Sequence, residues 1–288
     1  MFVTSNSFDS LKRHFISELG EQFSEREIRS MLFDLIRLRL NDTEIDMISV
    51  NDLRFSESDL LYFRDVRKRL LKGEPFQYIL GSVHFYGLDL LVEPGVLIPR
   101  PETEELVDWV LKTRQDPTIL IDLCAGSGCI GLSLKSNFPD ANVLAVEKSE
   151  EAIKVIQKNV AKSGLSLNLV SGDVLQNNFL QELENGSVDV IISNPPYVLE
   201  SDKQYMSDHV LKFEPHMALF VEDSDPLLFY RSIAIRAKEL LKEGGGLYFE
   251  IHENFGQEVV QLLIDLGFVN IELRKDLQGK DRMVRGKI

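Results

Sequence analysis

Two kinds of hydrophobic spacing divide this chain into an N-terminal and a C-terminal part. Through residue 72, apolar residues recur every three or four positions, which is the spacing of one face of an amphipathic helix. Ser24-Glu25-Arg26-Glu27 has the pattern of a helix-capping box, and Ser56-Glu57-Ser58-Asp59 resembles a second helix start. Residues 1–72 are therefore predicted to form a small all-helical domain.

The helical spacing ends at Gly73-Glu74-Pro75. Residues 76–99 alternate short apolar pieces with glycine and proline, a composition that favours a β-hairpin or an extended linker. A new helix is predicted from Pro101, because proline suits the first turn of a helix and acidic residues follow it near the positive end of the helix dipole. The linker is placed at residues 73–100.

From about residue 118, apolar strand-like segments alternate with amphipathic helical segments. Strands are predicted at 119–123, 143–146, 167–170, 188–193, 247–251 and 268–273, and later helices at 230–241 and 257–266. This βαβ alternation predicts a mainly parallel sheet with helices on both faces. The segment 283–285 is predicted to add an antiparallel strand at an edge of the sheet. Residues 101–288 are thus expected to form one α/β domain.

Composition favours an enzyme of the cytoplasm. The chain has 288 residues, 44% of them hydrophobic, and no apolar run approaches the ~20 residues of a membrane helix. Its first residues lack the basic start and apolar stretch of a secretory signal. Cys124 and Cys129 are five positions apart, a spacing that fits neither a disulfide framework nor a complete metal site. No metal and no membrane contact are expected.

The negative charge is concentrated after the helical part. The net charge is −14, and residues 81–288 carry −12 of it. Such a surface repels phosphate backbones and argues against nucleic acid as the principal partner.

A glycine-rich turn follows the first predicted strand of the α/β domain. Gly126, Gly128 and Gly131 have the G-x-G-x-x-G spacing, which allows a tight turn and a close approach of the backbone to a ligand. Glu147 follows at the end of the next strand, where a carboxylate can accept hydrogen bonds from both ribose hydroxyls of an adenosine. Asp173 and Val174 end the third strand and are candidates to flank an adenine ring.

The most informative segment is Asn194-Pro195-Pro196-Tyr197, directly after the strand predicted at 188–193. Neither proline has an N–H to continue a strand ladder, so the chain stops stiffly at a strand end. The Asn194 side-chain oxygen and the Pro195 carbonyl are two acceptors that suit a planar –NH2 group. Tyr197 offers an aromatic wall for such a group. An Asn-Pro turn without chemical function is the simpler interpretation, but the surrounding pattern disfavours it.

The glycine turn alone does not choose the cofactor. A nicotinamide dinucleotide and S-adenosylmethionine both place adenosine over such a sheet. A hydride transferase needs a site for a carbonyl or alcohol, whereas the fourth strand here ends in a site for an amino group. A methyl donor beside an –NH2 acceptor is therefore the favoured interpretation.

With these segments in view, the sequence resembles the class I, Rossmann-like S-adenosylmethionine-dependent methyltransferases, which have a mainly parallel seven-stranded sheet. Within them it resembles the HemK/PrmC family, the N5-glutamine methyltransferases of peptide chain release factors. The resemblance covers nearly the whole chain. It is carried by the glycine turn, by Asn194–Tyr197 and, most specifically, by the stretches at 73–81, 85–87 and 97–104.

The resemblance implies an activity and its residues. The enzyme would transfer a methyl group from S-adenosyl-L-methionine, leaving S-adenosyl-L-homocysteine, to the glutamine of the Gly-Gly-Gln loop in class I release factors. The helical domain would recognise this protein substrate, and the enzyme would be a monomer. Catalytic and substrate contacts would fall on Asn194, Pro195, Pro196 and Tyr197. Cofactor contacts would fall on Cys124, Ala125, Gly126, Ser127, Gly128, Glu147, Asp173, Val174 and Asn194.

Three positions depart from the commonest pattern of that family. Cys124-Ala125 stands where Gly-Thr is usual, Glu147 where Asp is common, and Val174 where a large aromatic residue is frequent. These changes affect how the adenine would pack, while the glycine spacing is retained. The two cysteines are interpreted as small apolar packing residues.

Other functions fit parts of the pattern. An adenine-N6 DNA methyltransferase also accepts on an –NH2 group, but it would need a basic DNA-reading region. A dinucleotide-dependent oxidoreductase uses a similar sheet, and a non-catalytic cofactor-binding module needs no acceptor site. The favoured interpretation remains glutamine methylation.

Overall fold

The computed structural model describes residues 3–42, 44–46, 48–176 and 179–288. Contacts between Cα atoms divide the chain into two units. One runs through Gly81 and includes Asp208–Phe213, and the other comprises Ser82–Ser207 and Glu214–Ile288. The first is built from helices around its own hydrophobic core, and the second is an α/β unit.

The helical unit follows the predicted spacing. Its helices are α1 (Phe8–Leu19), α2 (Glu25–Leu40), α3 (Glu57–Leu71) and α4 (Phe76–Leu80). Both predicted capping boxes are present, at Ser24 with Glu27 and at Ser56 with Asp59. The helical prediction for residues 1–72 also covers residues 1, 2, 43 and 47, which lie outside the residues that the structure describes.

The predicted hairpin is present but shorter than its segment. Strands β1 (Ser82–Phe85) and β2 (Leu88–Leu91) pair antiparallel. The prediction of a hairpin or extended chain was wrong for residues 76–80, which form helix α4. Pro75 precedes this helix and Gly81 ends it with φ of 77°, so both breaker residues mark the ends of one short helix.

The α/β unit contains the predicted mainly parallel, seven-stranded sheet. Its strands are β3 (Ile119–Leu123), β4 (Asn142–Glu147), β5 (Asn168–Ser171), β6 (Val188–Ser193), β9 (Leu241–Glu250), β10 (Val269–Lys275) and β11 (Asp281–Lys287). The order across the sheet is β10-β11-β9-β6-β3-β4-β5. A short parallel pair lies apart, β7 (Val198–Leu199) with β8 (Phe220–Val221).

Helices cover both faces of this sheet. They are α5 (Pro101–Thr113), α6 (Cys129–Asn137), α7 (Glu150–Ser163), α10 (Leu228–Leu240) and α11 (Gly256–Asp265). Two short helices lie between β7 and β8 in the chain: α8 (Asp208–Phe213), which belongs to the helical unit, and α9 (His216–Leu219). Successive residues of β3 point to opposite faces, so Leu120 packs with α5 and α6 and Ile121 with α10 and α11. Strands buried on both faces explain the continuous apolar runs in the sequence.

The prediction of the last strand was wrong about its position in the sheet. β11 is antiparallel to β9, as predicted, but it lies inside the sheet between β9 and β10. The edge is β10, which pairs with β11. Within the described part of the chain, no helix combines the length and apolarity needed to cross a bilayer.

Candidate active site

A cavity lies where four parallel strands end. It is bordered by the residues after β3, β4, β5 and β6 and has about 770 Å³ of empty space. β3, β4 and β5 follow one another towards one edge of the sheet, and β6 lies on the other side of β3. The strand order therefore reverses at β3, which is where open α/β sheets bind ligands. Seven residues predicted for the site line this cavity: Cys124, Gly126, Glu147, Asp173, Val174, Asn194 and Pro196.

The glycine turn joins β3 to α6. Gly126 has φ of 57°, and no heavy atom lies within 4 Å of where its Cβ would be, so a ligand can approach this backbone closely. A Cβ at Gly131 would lie 3.1 Å from Leu167 Cδ1 and 3.2 Å from Asp122 Oδ2. Gly131 therefore lets α6 pack tightly against the neighbouring strands.

Glu147 connects the end of β4 to the glycine turn. One carboxylate oxygen accepts a hydrogen bond from the Gly126 N–H at 2.8 Å. The other accepts from the N–H groups of Lys148 and Ser149, each at 2.8 Å. Burial raises the pKa of Glu147, and these three N–H groups oppose that shift. Oε1 thus uses both of its lone pairs, and Oε2 has one left for a ligand.

Asp173 and Val174 follow β5 on the cavity wall. Asp173 forms an ion pair with Lys148 at 2.8 Å. Burial raises the pKa of Asp173, but the hydrogen bonds from Lys148 and from the Leu175 N–H outweigh it, so the pKa lies below the usual value. Val174 is 4% exposed and belongs to the apolar core of the sheet. This wall thus combines a charged rim with a small apolar surface.

The remaining predicted residues lie near the cavity without lining it. Among the described residues, the lining omits Ala125, Ser127, Gly128, Pro195 and Tyr197. Ala125 and Ser127 are buried within the turn, and Gly128 is the residue before α6. Pro195 is buried. The contacts predicted for these five residues stay predictions.

Asn194 is held by a hydrogen-bond chain that the sequence did not indicate. Its side-chain nitrogen donates to Thr103 Oγ1 at 3.2 Å. The Thr103 hydroxyl donates to Glu250 Oε2 at 2.7 Å, and the Tyr197 hydroxyl donates to Glu250 Oε1 at 2.9 Å. Thr103 is in α5, Glu250 ends β9 and Asn194 follows β6. These hydrogen bonds therefore join three parts of the structure that are far apart in sequence.

Glu250 is the shared acceptor of the hydrogen bonds from Thr103 and Tyr197 and is 1% exposed. Burial raises its pKa, while the hydrogen bonds from Thr103 and Tyr197 and the positive charge of Arg282 oppose the shift. Burial and the Glu250 carboxylate raise the pKa of Tyr197 well above its usual value, which keeps the phenol protonated and able to donate. Both hydroxyls therefore donate to a carboxylate that only accepts.

The opposite wall of the cavity comes from two segments, one after β2 and one at the start of α9. They contribute Gly95, Val96, Leu97, Pro215, Met217 and Ala218. Arg100 pairs with the buried Glu214 at 2.6 Å, and Glu214 also accepts from the Ile98 N–H at 3.3 Å. This ion pair connects the segment after β2 with the residues that precede α9. Arg100 and Glu102 are two positions apart and could have paired with each other, but the Arg100 guanidinium pairs with Glu214 instead.

The cysteines occupy different positions in the turn. Cys124 has φ of 60° and lines the cavity, and Cys129 begins α6. Burial raises the pKa of Cys124 well above its usual value and that of Cys129 to about 12. Both thiols remain protonated near neutral pH, as packing residues would.

Known proteins match both the fold and the full length of the chain. The family described as Methyltransferase small domain matches residues 103–213. A methyltransferase structure from Pyrococcus furiosus superimposes with a TM-score of 0.51 at 19% identity, covering 77% of this chain and 98% of that chain. At this identity the likeness shows the fold alone.

Two curated relatives are named release factor glutamine methyltransferase. The one from Flavobacterium psychrophilum is 39% identical over 95% of this chain and 96% of its own length. The one from Bacteroides thetaiotaomicron is 40% identical over 92% of this chain and 95% of its own length. With such identity over nearly the whole of both chains, this chain belongs to the release factor glutamine methyltransferase family.

Proposed function

We propose that this enzyme methylates the side-chain amide nitrogen (N5) of the glutamine in the Gly-Gly-Gln loop of class I release factors. One observation carries the proposal: Asn194 lines the same cavity as Glu147 and Gly126, and its amide nitrogen is already engaged with Thr103. The Asn194 oxygen is then the side-chain atom left to accept from an –NH2 group. Methyl donor and acceptor thus share one cavity.

The cavity suits S-adenosylmethionine, which supplies an electrophilic methyl group carried on a sulfonium when bound. Glu147 Oε2 has a lone pair for a ribose hydroxyl, and Gly126 leaves the backbone open to a ligand. The remaining wall at Val174 and Phe229 is apolar, as an adenine ring requires.

The protein's part in the reaction is to orient an amide nitrogen, which is a poor nucleophile because its lone pair is delocalised. The Asn194 oxygen and the Pro195 carbonyl accept its two N–H bonds and hold the nitrogen against the methyl group. They also stabilise the positive charge that develops on nitrogen. The proton leaves to water after transfer, so the site needs no strong general base.

Partner, assembly and location belong to the same proposal. Residues 1–72 recognise the release factor, the enzyme acts as a monomer, and the reaction takes place in the cytoplasm, where translation terminates. The helical unit is built around its own hydrophobic core, which supports a separate role for it.

Removing residues 1–72 tests the proposed recognition role. We expect the KM for intact release factor to rise by at least about tenfold, while the KM for a short Gly-Gly-Gln peptide changes little. A thermal melt of the shortened chain with S-adenosylhomocysteine checks that its cavity is intact. Equal changes for both substrates contradict the role.

Mass spectrometry tests the activity itself. The purified enzyme is incubated with S-adenosylmethionine and a class I release factor, and the peptide containing Gly-Gly-Gln is examined for one added methyl group. A release factor with glutamate in place of that glutamine is the control. Methylation of duplex DNA instead would favour the adenine-N6 alternative, and no methylation of the release factor would reject the proposal.

A further inference from the structure

The hydrogen-bond chain behind the acceptor site has a direction. The Thr103 hydroxyl donates its single hydrogen to Glu250 Oε2 at 2.7 Å. Thr103 Oγ1 can then only accept from Asn194. The Asn194 atom that faces Thr103 is therefore the amide nitrogen, at 3.2 Å.

This direction decides what Asn194 offers to a ligand. A side-chain amide is planar, with oxygen and nitrogen on opposite sides, so fixing the nitrogen on Thr103 turns the oxygen away from it. Within the described part of the chain, no hydrogen bond engages that oxygen. Tyr197, bound to the other oxygen of Glu250, supports the same arrangement.

We propose that Thr103, oriented by Glu250, is a positioning residue that makes the acceptor site select a carboxamide over a carboxylate. The inference rests on the proposed function and concerns the specificity of the same site. Neither Thr103 nor Glu250 is among the described residues that line the cavity, so both act through Asn194. Thr103 is 2% exposed, which shields the hydrogen bond from water.

The preference for glutamine over glutamate follows from which polar atom Asn194 presents to the substrate. With the amide fixed, the Asn194 oxygen presents lone pairs to the cavity, which attract an N–H bond of glutamine and repel a glutamate carboxylate. Without the Thr103 hydroxyl, the Asn194 amide can rotate by half a turn and present its –NH2 group. That orientation repels the glutamine nitrogen and attracts a carboxylate, so the preference for glutamine should shrink.

The test compares four full-length variants with the unmodified enzyme. Thr103→Val removes the hydroxyl at nearly constant volume, Thr103→Ala removes it without added bulk, and Thr103→Ser retains it. Thr113→Val is the matched control, because Thr113 lies in the same helix and its hydroxyl contacts Tyr248 Oη at 2.8 Å, away from the cavity. Thermal melts with and without S-adenosylhomocysteine check folding and cofactor binding in each.

The main readout is binding without turnover. Affinities of a Gly-Gly-Gln peptide and of its Gly-Gly-Glu counterpart are measured in the presence of S-adenosylhomocysteine. We expect the preference for glutamine to fall by at least about tenfold in Thr103→Val and Thr103→Ala. Thr103→Ser should restore it, Thr113→Val should keep it, and the affinity for S-adenosylhomocysteine should stay within about twofold throughout.

Turnover separates this inference from the proposed function. If the unmodified enzyme methylates the release factor and Thr103→Val and Thr103→Ala both keep the full preference for glutamine, the positioning role is wrong and the function stands. Equal loss in Thr103→Ser or Thr113→Val also overturns the role, since a general disturbance of α5 then explains the effect. If the unmodified enzyme leaves the release factor unmethylated, the proposed function itself fails.

Discussion

The two ends of the cavity are built in different ways. At the cofactor end, Glu147 holds the glycine turn through backbone N–H groups of Gly126, Lys148 and Ser149, all within one βαβ segment. At the acceptor end, Asn194 is held by side chains from α5 and β9, which are 91 and 56 residues away along the chain. The hydrogen bonds at the cofactor end thus come from nearby backbone groups, whereas those at the acceptor end come from side chains that are distant in the sequence.

This difference has a chemical consequence. Backbone N–H groups are present whatever the side chain, so we expect the cofactor end to tolerate Cys124-Ala125 and a valine at position 174. The acceptor end depends on which atom of each side chain donates and which accepts, so a single isosteric change can reverse it. Substitutions at the acceptor end should therefore reduce turnover, and those at the cofactor end should reduce binding and stability.

The largest effect is expected at Asn194. Asn194→Ala removes the side-chain acceptor, and kcat/KM with release factor should fall by about a thousandfold, since oriented hydrogen bonds to developing charge contribute this much. The affinity for S-adenosylhomocysteine should fall by less than about tenfold. Asn168→Ala, at an exposed position of β5, is the control. Near-normal turnover of Asn194→Ala would refute the assignment.

Glu147→Ala should have the opposite effect to Asn194→Ala: it should weaken cofactor binding more than turnover. Three backbone N–H groups lose a charged acceptor, so the free energy of unfolding should drop by about 2 kcal/mol. Affinity for S-adenosylhomocysteine, measured by calorimetry, should fall by about thirtyfold, while kcat at saturating cofactor changes far less. The control is Glu150→Ala, at an exposed position of the same segment. A loss confined to kcat would contradict this picture.

A smaller effect is expected from pH. Burial and then the nearby charge of Glu147 raise the pKa of Asp122 to about 8, against the hydrogen bond from the Gly131 N–H. Folded protein then binds a proton that the unfolded chain has lost, so stability falls as pH rises from the unfolded pKa through the folded one. From pH 7 to 9 the loss should be roughly 1 kcal/mol.

Denaturant unfolding at several pH values measures that loss. Asp122→Asn removes the titrating group, so its free energy of unfolding should depend less on pH over the same range. An identical pH dependence in the variant and the unmodified protein would exclude Asp122 as the cause.

The smallest effect concerns the thiols. Because burial raises the pKa of both Cys124 and Cys129, neither should react appreciably with iodoacetamide at pH 8 in the folded protein. Mass spectrometry should show full alkylation only after unfolding in denaturant. Rapid labelling of the folded chain would mean that a thiol is exposed and activated.

Patterns within a few residues of one another were predictable. Helix periodicity, both capping boxes and the strands β3 and β6 depend on local spacing and agree with the structure. Helix α4 was missed because five residues between Pro75 and Gly81 are too few to show a period. β11 was misplaced because its sequence does not say which two strands it pairs with.

The sequence by itself determined the fold class, and it predicted the residues of the site, since the glycine spacing, the Glu147 carboxylate at a strand end and the Asn194–Tyr197 segment are each patterns of neighbouring residues. Only the tertiary structure decided that Thr103 and Glu250 stand behind Asn194 and that Arg100 pairs with Glu214. The physical reason is that a hydrogen bond requires atoms within about 3 Å in the right direction. Folding brings such atoms together from distant parts of the chain, and no local pattern records which ones meet.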